Sequence, residues 1–422
     1  MLKFDRLLTL ILVAFMFFTL IAFSANAASE KTINIGMLIP MSGGMAAYGV
    51  EVKAATMMIQ DIINNKVKDI NIPLAATAGL PGLHGAKVKF VFGDLSTNDL
   101  AMSETERLIT QQHCVAITGA FASASTKTAA VSTEKYGVPL LSEGTSVALA
   151  KAGYKYYFRI SGDDDLFCET TFKYFDSINK TKKGKIKNIA LMSEDSEFGK
   201  NIQRVETEMA AKYGFKVVAN ISYNASATNL SSEIIKLKDA DPDAVILSSY
   251  IPDAILIIRT FKQQNYKPKL IMGQRGGYIQ NDFLNTTGVD ADGVMSTART
   301  GLDVKLPALA KLADLYKSKY NPGVNLGTDV VTSIADAYIA ALAINQARST
   351  KADDIKKALT NLKWPASQQF TVLNGIKCDP VTGQNTLASC SVLQIQEGKF
   401  VTVYPDKIKA VNAIFPLPAW KQ

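Results

Sequence analysis

Side chains able to carry out covalent or metal chemistry are scarce in this 422-residue sequence. His84 and His113 are its only histidines and lie in separate segments, so a histidine metal site or a Ser-His-Asp triad lacks the residues it needs. The GxSxG, GxxxxGK, HExxH and GxGxxG motifs are absent. The sequence therefore predicts binding without catalysis, with no metal and no cofactor.

Hydroxyl groups at predicted strand ends are the best candidates for ligand contacts. Ser123 and Ser125 follow an apolar strand at 115–118 and begin a helix, where free backbone N–H groups and the positive helix end favour a carboxylate. Thr145 follows the next strand, and the ends of adjacent parallel strands converge. Ordinary helix capping, which uses the same residue types, is the alternative.

Large aromatic side chains occupy comparable positions. Phe198 and Tyr250 come directly after strands in predicted loops, and Tyr48 has the corresponding place in the first half of the chain. Aromatic rings in such loops can form a wall around a small ligand. Local packing beneath each loop is the alternative.

The elements that position these residues alternate between strand and helix. Short apolar runs separated by helical stretches indicate parallel sheets covered on both faces. This alternation of strands and helices occurs at 33–141 and again at 189–272, and the basic stretch 179–185 lies between the two halves. We predict an α/β fold of two doubly wound, Rossmann-like lobes.

The formal net charge of the chain is +8, but the positively charged residues are scattered along the sequence, which argues against nucleic acid as a partner.

The N-terminal 27 residues have the features of a secretory signal peptide. Lys3 and Arg6 precede an apolar run at 7–23, and Ala25-Asn26-Ala27 supplies the small residues of a cleavage site. We predict cleavage near Ala27 and a periplasmic mature protein that is not embedded in the membrane. An uncleaved membrane anchor is the alternative.

Export to an oxidising compartment permits disulfides among the four cysteines. Cys378 and Cys390 flank the turn-rich stretch 379–385, so a hairpin would bring them within bridging distance. We predict this bridge. For Cys114 and Cys168, a second bridge and two unpaired thiols are both open.

Ten short segments in order along the mature chain form a specific series: Ile35-Gly36, Pro40-Met41-Ser42-Gly43, Phe92-Gly93-Asp94, Gly119-Ala120-Phe121-Ala122-Ser123, Gly137-Val138-Pro139, Phe158-Arg159, Glu197-Phe198-Gly199, Tyr250-Ile251-Pro252-Asp253, Met272-Gly273 and Tyr404-Pro405. Together they resemble type I periplasmic binding proteins of the leucine/isoleucine/valine-binding kind. The resemblance implies two lobes that close on an amino acid or related small acid, and presentation of the closed form to the permease subunits of an ABC importer. We expect a monomer.

The resemblance also implies a hinge of three crossing segments and a set of site residues. The crossings fall near Arg159, Met295 and Val372, which gives lobe 1 as 30–159 plus 297–372 and lobe 2 as 160–296 plus 373–422. The ligand carboxylate is expected on Ser123 and Thr145 with backbone groups around Ala122, Gly144 and Ser125. Tyr48, Phe198 and Tyr250 are expected around the ligand, with Phe198 replacing the more usual tyrosine.

Arg275 departs from the family pattern. Branched-chain amino acid binders carry a glutamate at the matching position, where it pairs with the ligand ammonium. An arginine would repel an ammonium and favour a second acceptor, which leads to the hypothesis of an aromatic acid, keto acid or dicarboxylate. The alternative is that Arg275 pairs with Asp253 or Glu143 and that another acid holds the ammonium.

Two other function classes share this fold class. A periplasmic sensor would pass closure of the lobes to a signalling protein instead of an importer, and the sequence does not separate the two. An exported α/β enzyme is disfavoured by the missing nucleophile and base.

Overall fold

Two separate β-sheets, each flanked by helices, carry the fold. A computed structural model describes residues 31–181, 185–225, 227–371 and 374–420. The predicted signal peptide at 1–27 lies outside the described residues. The expected α/β architecture with two doubly wound lobes is confirmed.

The first sheet has five parallel strands in the order β2-β1-β3-β4-β5. Central strand β1 pairs with β2 on one side and β3 on the other, so that Met37 lies opposite both Phe92 and Thr118. Strands β1, β3, β4 and β5 are nearly all buried, as expected for a sheet covered on both faces, whereas the edge strand β2 is only partly buried. They are β1 (Thr32–Ile39), β2 (Lys87–Asp94), β3 (Ile117–Gly119), β4 (Leu140–Ser142) and β5 (Tyr157–Phe158).

The second sheet has seven strands in the order β12-β11-β10-β9-β8-β6-β7. Strands β6 to β10 are parallel, whereas β11 and β12 form an antiparallel extension beside β10. This extension was not predicted from the sequence. The strands are β6 (Asn188–Glu194), β7 (Lys216–Tyr223), β8 (Ala244–Ser248), β9 (Leu270–Gly273), β10 (Met295–Ala298), β11 (Ser391–Gln396) and β12 (Lys399–Tyr404).

Twelve α-helices are assigned within the described residues. Eight fall before residue 265: α1 (Ala46–Asn64), α2 (Leu100–Thr110), α3 (Ser123–Tyr136), α4 (Val147–Ala150), α5 (Asp164–Thr181), α6 (Glu197–Tyr213), α7 (Ser231–Asp239) and α8 (Ile251–Gln263). Four follow: α9 (Asn281–Thr287), α10 (Pro307–Leu315), α11 (Thr328–Ala347) and α12 (Ala352–Thr360).

Helix α11 lies in the core of the first sheet. With a mean hydropathy of 1.3, it is long and apolar enough to cross a membrane. However, 83% of its most apolar stretch of 18 residues is buried within the protein. It packs on α1 and against β1, β3 and β4. Helix α11 is therefore a core helix, and its first turn reaches the edge of the sheet where the loops after β3 and β4 lie.

The chain passes between the two sheets after β5 and again after β10. The strands of the first sheet lie within 32–158, and those of the second within 188–298 and 391–404. The predicted lobe boundary between 296 and 297 falls inside β10, and Val372 lies outside the described residues. The three-segment hinge and the lobe boundaries remain predictions.

The predicted Cys378–Cys390 disulfide is wrong, because both cysteines are free thiols. A small antiparallel bridge does form in this stretch, but it sets Cys378 opposite Asn385, not opposite Cys390. Cys378 is buried in the core of the first sheet, whereas Cys390 lies beside the first residue of β11 in the second. Cys114 and Cys168 are likewise free, which selects the unpaired alternative.

Candidate ligand-binding site

Four aromatic rings form a continuous row between the two sheets, which we call the aromatic row. Tyr48 on α1 and Phe121 after β3 have ring centroids 4.7 Å apart. Phe121 lies 5.9 Å from Tyr250, and Tyr250 lies 5.5 Å from Phe198. The structure thus brings together the three predicted aromatic residues. It adds Phe121, which belongs to the Gly119–Ser123 segment but was not predicted to contact the ligand.

Local backbone geometry places these rings. Tyr250 is the N-cap residue of α8, whereas Phe198 lies in the first turn of α6 and not in the predicted loop. Phe121 follows a sharp reversal in which Gly119 and Ala120 have φ of 93° and 56°. A Cβ on Gly119 would lie 2.4 Å from the Leu38 carbonyl oxygen, so the strand end requires glycine.

Ser123 and Ser125 lie in the first turn of α3, which begins directly after Phe121 and Ala122. Ala122 is the N-cap residue and makes no side-chain capping hydrogen bond, so ordinary capping by these hydroxyls is not what the structure contains. Ser125 Oγ donates to Asn98 Oδ1 at 2.6 Å, and Ser123 Oγ accepts from the Ser146 N–H at 3.3 Å. The Ser123 backbone lies close to the Tyr250 hydroxyl, so the N-terminus of α3 lies next to the aromatic row.

Thr145 and Gly144 lie at the end of β4, next to α3. The Asp164 N–H donates to the Thr145 carbonyl at 3.0 Å. Burial raises the pKa of Asp164 to about 6, although the Asn201 amide, which donates to Asp164 Oδ2, opposes the rise. The Gly144 carbonyl accepts from Arg159 Nη1 at 2.9 Å. These contacts fix the loop, and Asp164 was not anticipated as a neighbour of Thr145.

Arg275 follows β9, is 4% exposed and faces the first sheet. Its Nε donates to Asp329 Oδ1 on α11 at 2.9 Å, and its guanidinium carbon lies 5.0 Å from the centre of the Phe121 ring. Burial acts to lower the pKa of Arg275, but Asp329 and Glu143 outweigh burial and hold the pKa above its ordinary value. Arg275 is thus paired with an acid, but the acid is neither of the two named from the sequence.

Three further buried charged residues lie near this pair, and we call the five together the charged cluster: Glu143, Arg275, Arg299, Asp329 and Asp336. Arg299 Nη2 donates to the Glu143 carbonyl at 2.7 Å, and Arg299 Nη1 lies 3.8 Å from Glu143 Oε2. Burial, and then the positive charge of Arg275, lower the pKa of Arg299 to about 10. Burial also raises the pKa values of Glu143 and Asp336.

Tyr48 connects the aromatic row to the charged cluster. Its hydroxyl lies 3.1 Å from Glu143 Oε2 and 2.7 Å from Ser333 Oγ.

Among the described residues, no group of three His, Cys, Asp or Glu side chains is placed to hold a metal ion. The site therefore offers aromatic surface, two guanidinium groups and hydroxyls, which are means of binding a small polar molecule.

The family model described as "Periplasmic binding protein" matches residues 32–399, which include both sheets and this site. The chain belongs to the periplasmic binding protein family. This is a family of substrate-binding proteins and implies a periplasmic or extracellular location. The resemblance inferred from the sequence is confirmed.

Relatives and solved structures agree with this membership. The "Leu/Ile/Val-binding protein homolog 7" of Brucella suis is 28% identical over 407 residues, covering 94% of this chain and 96% of the relative. The substrate-binding protein LivJ of Streptococcus pneumoniae, solved with isoleucine, has a TM-score of 0.74 at 23% identity and covers 89% of this chain and 100% of that one. A solute-binding protein of Rhodopseudomonas palustris, solved with 3,4-dihydroxybenzoic acid, has a TM-score of 0.71 at 17% identity, covering 91% and 98%. At these identities the two structural likenesses establish the fold.

Proposed function

We propose that this chain is a periplasmic solute-binding protein that captures a small carboxylate-bearing ligand between its two lobes and presents it to the permease subunits of an ABC importer. Ligands of this class are an amino acid or a related organic or aromatic acid. The lobes close about the hinge because the ligand contacts both of them, which favours the closed state. The mature protein acts as a monomer after removal of residues 1–27.

The observation that carries this proposal is the buried junction of the two lobes. Tyr48 and Phe121 come from elements of the first sheet, and Tyr250, Phe198 and Arg275 from elements of the second, yet they form one contiguous buried surface. Open α/β sheets bind ligands at the carboxyl ends of their strands, and these residues follow such ends. A ligand placed there would touch both lobes at once.

Each site residue has a role in this proposal. Ser123, Ser125 and Thr145 hold one ligand carboxylate together with backbone groups of Ala122 and Gly144, because a helix N-terminus stabilises negative charge. The Ser123 N–H lies close to the Tyr250 hydroxyl, and we infer that it also donates to the bound carboxylate. Tyr48, Phe198 and Tyr250 enclose the body of the ligand.

Ligands of two structurally similar proteins support the ligand class. One was solved with isoleucine and the other with 3,4-dihydroxybenzoic acid, and these molecules share a carboxylate while differing in the rest of their structure. A carboxylate site beside adaptable aromatic walls fits both. The proposal for this chain therefore specifies the carboxylate and leaves the body of the ligand to the residues around Arg275.

Mass spectrometry of the small molecule released by denaturing the purified protein, followed by calorimetric titration, tests the function. Tyr250→Ala removes a ring in contact with both Phe121 and Phe198, so we expect its affinity for the released ligand to fall at least about tenfold. Tyr136→Ala, at an exposed tyrosine on α3, is the control and should bind as the wild type does. Equal affinity in Tyr250→Ala, or binding of no small acid, would contradict the proposal.

A further inference from the structure

Hydrogen bonding in the charged cluster is unbalanced between donors and acceptors. Both carboxylate oxygens of Asp329 are engaged, Oδ1 by Arg275 Nε and Oδ2 by Gln280 Nε2, each at 2.9 Å. Glu143 Oε2 accepts from the Tyr48 hydroxyl at 3.1 Å. These two acids already accept from neighbouring side chains, so an ammonium group on a ligand would have to share them with those donors.

Guanidinium N–H groups supply the excess of donors. Arg275 Nη2, Arg299 Nε and Arg299 Nη1 have no hydrogen-bond partner among the described residues. The two residues are 4% and 3% exposed, which excludes bulk water as the partner of these groups. A buried donor left unpaired is destabilising, and a charged one more so. The cluster therefore lacks acceptors.

Asp336 adds to the same imbalance. Its Oδ2 is buried and has no partner among the described residues. Burial and the neighbouring Glu143 disfavour its charged form and raise its pKa. In its acid form the Asp336 carboxyl is itself a donor.

The two arginines extend from neighbouring strands of one sheet. Arg275 follows β9 and Arg299 follows β10, and these strands are parallel, with Met272 opposite Met295. The Arg275 N–H also donates to Ser296 Oγ on β10 at 3.0 Å, which fixes the two loops to each other. The guanidinium groups therefore lie on the same side of the cleft, facing the first sheet, with Arg275 over the Phe121 ring of the aromatic row.

We propose that Arg275 and Arg299 form a paired guanidinium subsite for a second carboxylate, so that the ligand is a dicarboxylate. This inference rests on the proposed solute-binding function, in which the first carboxylate is held at the N-terminus of α3. Planar guanidinium groups match a carboxylate with two parallel hydrogen bonds, and the second carboxylate supplies the acceptors that the cluster lacks. An ammonium at this place would face unpaired cationic donors. Arg299, which was not predicted from the sequence as a site residue, is then a specificity-determining residue.

Calorimetric titration of the mature protein with matched acids tests the ligand class. The pairs are glutarate with butyrate and terephthalate with benzoate, and leucine represents the amino acids. We expect at least one dicarboxylate to bind about 100-fold or more tightly than its monocarboxylate match, because charged hydrogen bonds are the strong ones. Monocarboxylates or leucine binding as tightly as every dicarboxylate would overturn the inference and leave the solute-binding function standing. Binding of none of these acids, with no acid released on denaturation, would overturn both.

Variants of Arg299 test the subsite itself. Arg299→Gln should weaken binding of the preferred dicarboxylate at least about tenfold while changing the affinity for its monocarboxylate match less than about threefold. Arg299→Lys keeps the charge but loses the planar fork, so it should recover only part of the loss. Arg204→Gln, at a half-exposed arginine on α6, is the control. Equal losses for both acids would overturn the subsite, and if Arg299→Gln does not fold, the comparison of matched acids on the wild type decides alone.

Discussion

Arg275 and Asp329 form a buried ion pair that joins the two sheets. Arg275 follows β9 of the second sheet, Asp329 lies in the first turn of α11 against the first sheet, and Nε and Oδ1 are 2.9 Å apart. Their side chains are only 5% and 0% exposed. A pair so placed holds the two lobes together in the arrangement described here, and it does so beside the aromatic row.

Removing one partner of this pair should be strongly destabilising. Asp329→Asn leaves the Arg275 charge buried without its counter-ion, so we expect the free energy of unfolding to fall by about 3 to 5 kcal/mol in urea titrations. Asp314→Asn, at an exposed aspartate on α10, is the control and should cost less than about 0.5 kcal/mol. The double variant Arg275→Met/Asp329→Leu should recover most of the loss. A single variant as stable as the wild type would show that the pair does not hold the lobes.

The Tyr48 hydroxyl should stabilise the cluster from the side of α1. Tyr48→Phe keeps the ring against Phe121 but removes the bonds to Glu143 Oε2 and Ser333 Oγ, so a buried carboxylate loses a donor. We expect unfolding to become easier by about 1 to 3 kcal/mol. The matched control is Tyr156→Phe, whose hydroxyl bonds Asp353 at the surface and should contribute almost nothing. Equal effects of the two substitutions would contradict the role given to burial.

Glu206 on α6 should make stability depend on pH. Burial raises its pKa from 4.5 to about 8, even though the Ser248 hydroxyl donates to its Oε1 at 3.0 Å. Above about pH 4.5 the unfolded chain loses this proton while the folded chain keeps it until about pH 8, so ionisation favours unfolding increasingly across that window.

The measurement is the free energy of unfolding between pH 5 and pH 7 for the wild type and Glu206→Gln. The variant should gain stability relative to the wild type by about 1.4 kcal/mol per pH unit in that range. Glu208→Gln, at an exposed position of the same helix, should keep the wild-type slope. Parallel curves for the wild type and Glu206→Gln would show that Glu206 is ionised in the folded protein at neutral pH.

All four cysteines should be reduced in the purified protein. Cys378 packs in the core of the first sheet and Cys390 beside β11, and both are free thiols, as are Cys114 and Cys168. Alkylation in denaturant without reductant, read by intact-mass spectrometry, should therefore modify four thiols per chain. Two modified thiols before reduction and four after it would contradict this prediction, and unmodified Cys378 and Cys390 in a peptide map would then support the Cys378–Cys390 bridge.

Element order and strand ends could be predicted from the sequence because they follow from local patterns. Apolar runs such as 189–192 and 244–247 have no polar alternation, so they correspond to buried parallel strands β6 and β8. The residues that follow such strands could then be placed at the carboxyl ends of the sheets, Ser123 and Thr145 after β3 and β4 of the first sheet and Tyr250 after β8 of the second.

Contacts between distant segments could not be predicted. Asp329 is 54 residues from Arg275, on a helix whose first turn reaches the site only through its packing on β1, β3 and β4. The sequence offers many acids of equal standing, so Asp253 and Glu143 were named instead. Arg299 was missed for a related reason, since only the pairing of β9 with β10 sets it beside Arg275.

A crystal structure of the protein with the acid released from it tests the central claim most directly. The account predicts ligand density against the aromatic row, with one acceptor group at the N-terminus of α3 and another on the guanidinium groups of Arg275 and Arg299. Density in the surface groove of about 500 Å³ between residues 303–306 and 407–410, with the aromatic row unoccupied, would contradict it.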